Sequence, residues 1–132
     1  MDRHLRVVRA ATVALLVSPV AMSQSWPSRP VQFIVPAAAG SGPDVTLRAY
    51  TDRVAKSIGQ PVLVLNRPGA QGAIGAQAAA KEAPDGHTFF LASLGQLIAN
   101  KYTMKTPGYD PDKSFVPIIL IGTIPSVPRR SQ

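Results

Sequence analysis

The chain has 132 residues, no cysteine, and a formal net charge of +7 from 14 Lys and Arg against 7 Asp and Glu. That length holds one small domain or part of a larger one, and the missing thiols exclude disulfides and a lipid anchor on cysteine. The bases are scattered singly except for Arg129 and Arg130, and the few aromatic residues do not interleave with them, so the charge does not describe a nucleic-acid surface.

Residues 1–23 read as a secretory signal peptide. Arg3, Arg6 and Arg9 form a basic start, and Ala10–Val20 is an apolar stretch too short to span a bilayer comfortably. Ala21-Met-Ser23 sets small residues before Gln24, where cleavage is expected. Removing this segment lowers the formal charge to +5, a mildly basic balance that suits an acidic small solute in the periplasm. The alternative is an uncleaved membrane anchor.

Beyond it, Val31–Val35 is a short run of β-formers, stopped by Pro36. A loop of small residues leads through Pro43 into a helix over Thr46–Ile58, with Leu47, Tyr50, Val54 and Ile58 on one face. Gly59 and Pro61 end it. Val62–Leu65 is a continuous apolar run, expected as a strand buried on both faces. Asn66–Gly69 is a turn, Gly72–Glu82 an alanine-rich helix, Thr88–Ala92 a third strand and Leu94–Tyr102 a short helix. Tyr109–Asp112 is a loop before Phe115–Ile121, the most hydrophobic stretch after the signal and an expected buried strand. The order β-α-β-α-β-α-β indicates a parallel α/β sheet, in which ligands bind beyond the carboxyl ends of the strands.

Two loops then become candidates. In Pro36–Asp44, the N–H groups of a helix start face a small-residue loop, a natural anion seat. The dinucleotide fingerprint fails there because Val45 stands where its third glycine belongs, and the phosphate-loop pattern lacks its Lys. The plain alternative is a tight turn with a helix cap. Asp44 repels an anion, which favours a role in holding the loop. Ser93, Gly95 and Gln96 offer a hydroxyl, a flexible backbone and an amide suited to neutral readout of a carboxylate; the alternative is a Ser-capped helix start. Asn66–Gly69 reads as structural, and Gly72 and Gly75 as sites of helix packing. Catalysis has little to stand on. After the signal there remain one histidine, His87, at a strand entrance, and one glutamate, Glu82, with no Gly-x-Ser-x-Gly elbow and too few metal ligands for a cluster. No cofactor is expected.

A series of motifs runs along residues 26–127. It comprises Trp26-Pro-Ser-Arg-Pro30, Ile34-Val-Pro36 with Asp44 eight residues on, Gly59-Gln-Pro-Val62 and Asn66-Arg-Pro-Gly69-Ala-Gln-Gly72-Ala-Ile-Gly75-Ala. Ala83-Pro-Asp-Gly86-His-Thr88, Tyr109-Asp-Pro111 and Phe115-Val-Pro117 complete it. In order and spacing the set resembles the extracytoplasmic receptors of tripartite tricarboxylate transporters, also called Bug receptors. The resemblance implies the first lobe of a two-lobed periplasmic-binding-protein-like fold, truncated here. It implies that Pro36, Ala37, Ala38, Gly40, Ser41, Gly42 and Asp44 hold a small carboxylate through loop amides and ordered water. The loop with Ser93, Gly95 and Gln96 would contribute to the same cleft. It also implies a monomer whose closed form docks on membrane permease subunits. The family often has a bulky residue after the proline and three loop glycines, whereas Ala37, Ala38 and Ala39 precede Gly40-Ser-Gly42 here.

The expected organisation is therefore a signal peptide (1–23), a partial first domain (24–127) and an aberrant tail (128–132). With one lobe missing, binding is expected to be weak or absent and the product prone to aggregation. A remnant without function, and a receptor that presents its ligand to a membrane sensor kinase, are the alternatives.

Overall fold

The structure, a computed structural model, describes residues 25–123; the expected signal peptide and tail lie outside them. Strand β1 (Val31–Val35) leads to helix α1 (Gly42–Ile58), strand β2 (Val62–Asn66), a tight turn over Ala70–Gly72, helix α2 (Ala73–Ala80) and strand β3 (Thr88–Phe90). A wide helical turn, Gly95–Ala99, runs into α3 (Asn100–Thr103), and a single-turn helix, α4 (Pro111–Ser114), precedes an extended segment. The three strands form one parallel sheet in the order β2-β1-β3.

β1 is central, and Val31, Ile34 and Val35 are buried with Leu47, Ala73 and Ala76. The Phe33 and Phe89 rings stack across the β1–β3 pair with centroids 5.2 Å apart. α1 follows the extended Ser41, admits Pro43 in its first turn and stops where the N–H of left-handed Gly59 donates to Ala55 O at 2.9 Å. Its inner face is Leu47, Thr51, Val54 and Ile58; Tyr50 faces out, because the helical period returns at residue 51 rather than 50. α2 lies close over the end of β1. A Cβ on Gly75 would sit 3.0 Å from Pro36 Cα and from Arg67 O.

With parallel strands in the order β2-β1-β3, the right-handed rule for crossovers puts α1 and α2 on opposite faces. The carboxyl ends of β1 and β3 are then the topological switch point, the position of the ligand crevice in open α/β sheets. The loops after β1 and β3 are the two candidates.

Two expectations fail for the same reason: burial of a strand needs neighbours. Among the described residues β2 pairs only with β1 and stands at an edge, leaving Leu63 exposed, and Phe115–Ile121 pairs with no strand. Phe115 finds a place, its ring 5.0 Å from Phe90 and 6.0 Å from Tyr109 between centroids. Beyond it Val116, Ile118, Ile119 and Leu120 are 72–85% exposed. Past Pro117, the uncharged β-formers Ile118, Ile119, Leu120 and Ile121 are a template for pairing between copies. The variant Ile119→Lys is therefore expected to reduce self-association in sedimentation experiments without changing Tm. Equal association of the two chains would contradict this.

Candidate functional site

The loop after β1 is built around Asp44. This carboxylate is almost wholly buried in the first turn of α1. It accepts from the Gly40 N–H at 2.8 Å, from Arg48 Nε at 3.0 Å and from Asn66 Nδ2 at 2.9 Å. Asn66 ends β2, and its Nδ2 also donates to Ala37 O at 3.1 Å, while Arg48 Nη2 donates to Asn66 Oδ1 at 3.1 Å. Loop, helix start and neighbouring strand are thereby tied into one unit. The Arg48 hydrogen bond, then the Gly40 N–H, then the Asn66 amide hold the Asp44 carboxyl at a pKa of about 2.

That pKa lies below the ordinary 3.8 of an unfolded chain, so the stability Asp44 contributes is present above that value and is lost as pH falls toward 2. The protection factor of the Gly40 amide, with the intrinsic pH dependence of exchange divided out, is expected to fall between pH 4 and pH 2 more than those of β1 amides. A uniform fall in protection would contradict a local role.

With Asp44 neutralised by Arg48, the outward groups of the loop are N–H donors. The Gly40 N–H is taken by Asp44 and the Ser41 N–H by Ala38 O at 3.2 Å. The N–H groups of Ala38, Ala39 and Gly42 find no acceptor among the described residues, and Ser41 makes no side-chain cap. These donors stand at the positive end of a 17-residue helix.

The loop after β3 is a reciprocal cap. Ser93 Oγ accepts from the Gly95 N–H at 3.2 Å, and Gln96 Oε1 accepts from the Ser93 N–H at 2.9 Å and from Ser93 Oγ at 2.8 Å. The Asn100 N–H then reaches Gly95 O, five residues back, which widens the turn. Gln96 is buried, and its Nε2 donates to Gln71 O at 2.8 Å. Asn100 Nδ2 reaches Gln71 O at 3.4 Å and Tyr109 Oη at 3.2 Å, and the Tyr109 hydroxyl donates to Gln96 O at 2.6 Å. The turn before α2 is thus drawn between the two loops. A Cβ on Gly72 would lie 2.2 Å from Gln96 Nε2 and 3.0 Å from Pro36 Cβ.

All ten expected site residues, from Pro36 to Asp44 and from Ser93 to Gln96, stand at the carboxyl edge of the sheet. Asp44 and Gln96 are buried and, with Ser93, are engaged by internal bonds; Ala38, Gly40 and Gly42 are exposed, and the Ser41 hydroxyl has no partner among the described residues, so backbone donors make up the outward chemistry of the first loop. Sequence reasoning missed Arg48, Asn100 and Tyr109, covered Ala39 only as part of the Pro36–Asp44 loop, and read Asn66 as a turn or sheet-edge residue; it ends β2. The Asp44–Arg48 spacing of i,i+4 and the Ser93-x-x-Gln96 pattern were the available signals. His87 lies at the entrance to β3, the opposite edge, with its ring 6.2 Å from Trp26 between centroids. No helix among the described residues is long and apolar enough to cross a membrane.

Comparisons with known proteins agree with this architecture. Residues 46–128 match the model of the tripartite tricarboxylate transporter family receptor. A UPF0065 protein of Bordetella bronchiseptica is 40% identical over 91% of this chain and 36% of its own length. BugT of Bordetella pertussis is 35% identical over 96% of this chain and 39% of its own. Among solved structures, MatC of Rhodopseudomonas palustris, with bound malate, superposes with a TM-score of 0.68 at 38% identity, covering 73% of this chain and 33% of that one. The periplasmic binding protein BugD gives 0.64 at 37% identity over 68% and 30%. The fold is that of periplasmic binding proteins, and the chain belongs to the family of tripartite tricarboxylate transporter receptors. It spans a little over a third of the length of the relatives it matches.

Proposed function

We propose that this chain forms the carboxylate-binding first lobe of an exported solute receptor. It holds a small carboxylate non-covalently and presents it to the permease subunits of a tripartite transporter. The reading rests on one observation above others: the Ala38, Ala39 and Gly42 N–H groups stand without an acceptor among the described residues, at the switch-point crevice and the start of a helix. Donors fixed by the Asp44 network need little rearrangement to meet an anion, and charge-assisted bonds to them are the strong kind. The malate bound to MatC and the adipate bound to another Rhodopseudomonas palustris protein that is 36% identical support a carboxylate. The basic, apolar leader of residues 1–23 supports export to the periplasm.

A complete receptor closes a second lobe over the ligand and excludes water. A micromolar clamp that retains half its binding free energy binds at about 1 mM. Titration calorimetry of the chain with succinate, malate and adipate is expected to give dissociation constants of that order. Succinamide, which carries no charge, is expected to bind at least roughly tenfold more weakly. Equal affinity for the diamide, or no heat with any of the acids, would overturn the reading.

A further inference from the structure

The turn between β2 and α2 carries the least comfortable backbone in the described chain. Gly69, Ala70, Gln71 and Gly72 all have positive φ, and the two non-glycine residues stand at 46° and 54°. The Gly72 N–H closes the turn on Gly69 O at 2.9 Å. Left-handed backbone is unfavourable for alanine and glutamine, and it persists only where surroundings over-determine it. Here they do. Gln96 and Asn100 both donate to Gln71 O, Gly72 fits against Pro36 and Gln96, and Ile74 closes over Gly69.

Asn100 holds that carbonyl at a further cost. It is 1% exposed, and its Oδ1 has no hydrogen-bond partner among the described residues. An unpaired buried acceptor and two strained residues serve the same short turn. Joining β2 to α2 does not require alanine and glutamine here, because a glycine at either position would adopt the same geometry without strain. What the geometry does is keep Gln71 exposed while its own carbonyl is pulled inward, at a turn that touches both crevice loops.

We infer that Gln71 is a ligand-contacting, specificity-determining residue: its side-chain amide hydrogen-bonds the second polar group of a small carboxylate whose first carboxylate sits at the N-terminus of α1. The inference rests on the proposed carboxylate reading and adds what meets the ligand's far end. A neutral amide both donates and accepts, so it suits a carboxylate or a hydroxyl there and gives no advantage to a purely apolar tail.

The test is an NMR titration of the ¹⁵N-labelled chain with sodium malate, against sodium chloride at matched ionic strength. The expected result is that the Gln71 side-chain amide and the Gly42 backbone amide shift together along one binding curve. A second chain, Gln71→Gly, keeps the left-handed turn without its side chain. It is expected to melt at or above the wild-type temperature and to bind malate roughly three- to tenfold more weakly. If Gly42 shifts but the Gln71 side chain does not, or if Gln71→Gly binds as wild type, the inference falls while the carboxylate reading stands. If Gln71→Gly lowers Tm substantially, the side chain serves structure and the inference falls as well. Shifts at neither residue, or a spectrum without dispersed amides, overturn both.

Discussion

Replacing Asp44 with alanine is expected to lower Tm by roughly 10 °C and to release the whole carboxyl edge of the sheet. The side chain is buried and accepts from three separate segments: the Gly40 backbone, Arg48 on α1 and Asn66 at the end of β2. Truncation leaves the Gly40 N–H and the Asn66 amide without their acceptor, and leaves Arg48 without its counter-charge. Stranding such groups costs more than the net worth of each bond. Asp44→Asn keeps an acceptor but loses the charge, and is expected to fall between the two. Thermal unfolding followed by circular dichroism measures both. A fall of less than about 2 °C for the alanine variant would show that the network does not hold the loop.

Gly72→Ala is expected to destabilise the chain by about 2–3 kcal/mol and to separate the two crevice loops. A part of that cost comes from φ, which is 84° and unfavourable for any side chain. The rest comes from space, since the new methyl would meet Gln96 Nε2 at 2.2 Å. The end of a glutamine usually swings aside cheaply. This one is held by Ser93 and Gln71 O, so moving it breaks the cap of the β3 loop and the anchor of the left-handed turn. Gly40→Ala separates the two contributions. Its φ is 79° and nothing lies within 4 Å of the added carbon, so about 1 kcal/mol is expected. Denaturant melts giving equal losses for the two variants would contradict the packing argument.

How far these features could be read from sequence depends on how local their causes are. β1 and both ends of α1 were legible because they rest on a run of β-formers, on Pro43 and on Gly59. The place of β2 at an edge was not, since Val62–Leu65 looks the same with one neighbour or two. Phe115–Ile121 reads as a buried strand because hydrophobicity records what a segment needs rather than whether a partner is present. At the site, the loop and its helix start were visible as small residues followed by Pro43 and Asp44. The saturation of Ser93 and Gln96 was half visible, as a cap pattern four residues long. The convergence of Gln71, Asn100 and Tyr109 around Gln96, and of Asn66 on Asp44, had no local signal, because each set of partners is far apart in sequence and is brought together only by the fold.

The central claim is that backbone donors at the start of α1 hold a carboxylate. Gly42→Pro tests it most directly. Gly42 is the first helical residue, has open space around it, and precedes a position already occupied by Pro43. Proline is well tolerated there and removes one N–H without changing any charge. Titrating both chains with succinate is predicted to show an unchanged Tm and an affinity lower by roughly 10- to 100-fold in the variant, the worth of one charge-assisted bond. Equal affinity in the two chains would mean that the carboxylate is held elsewhere.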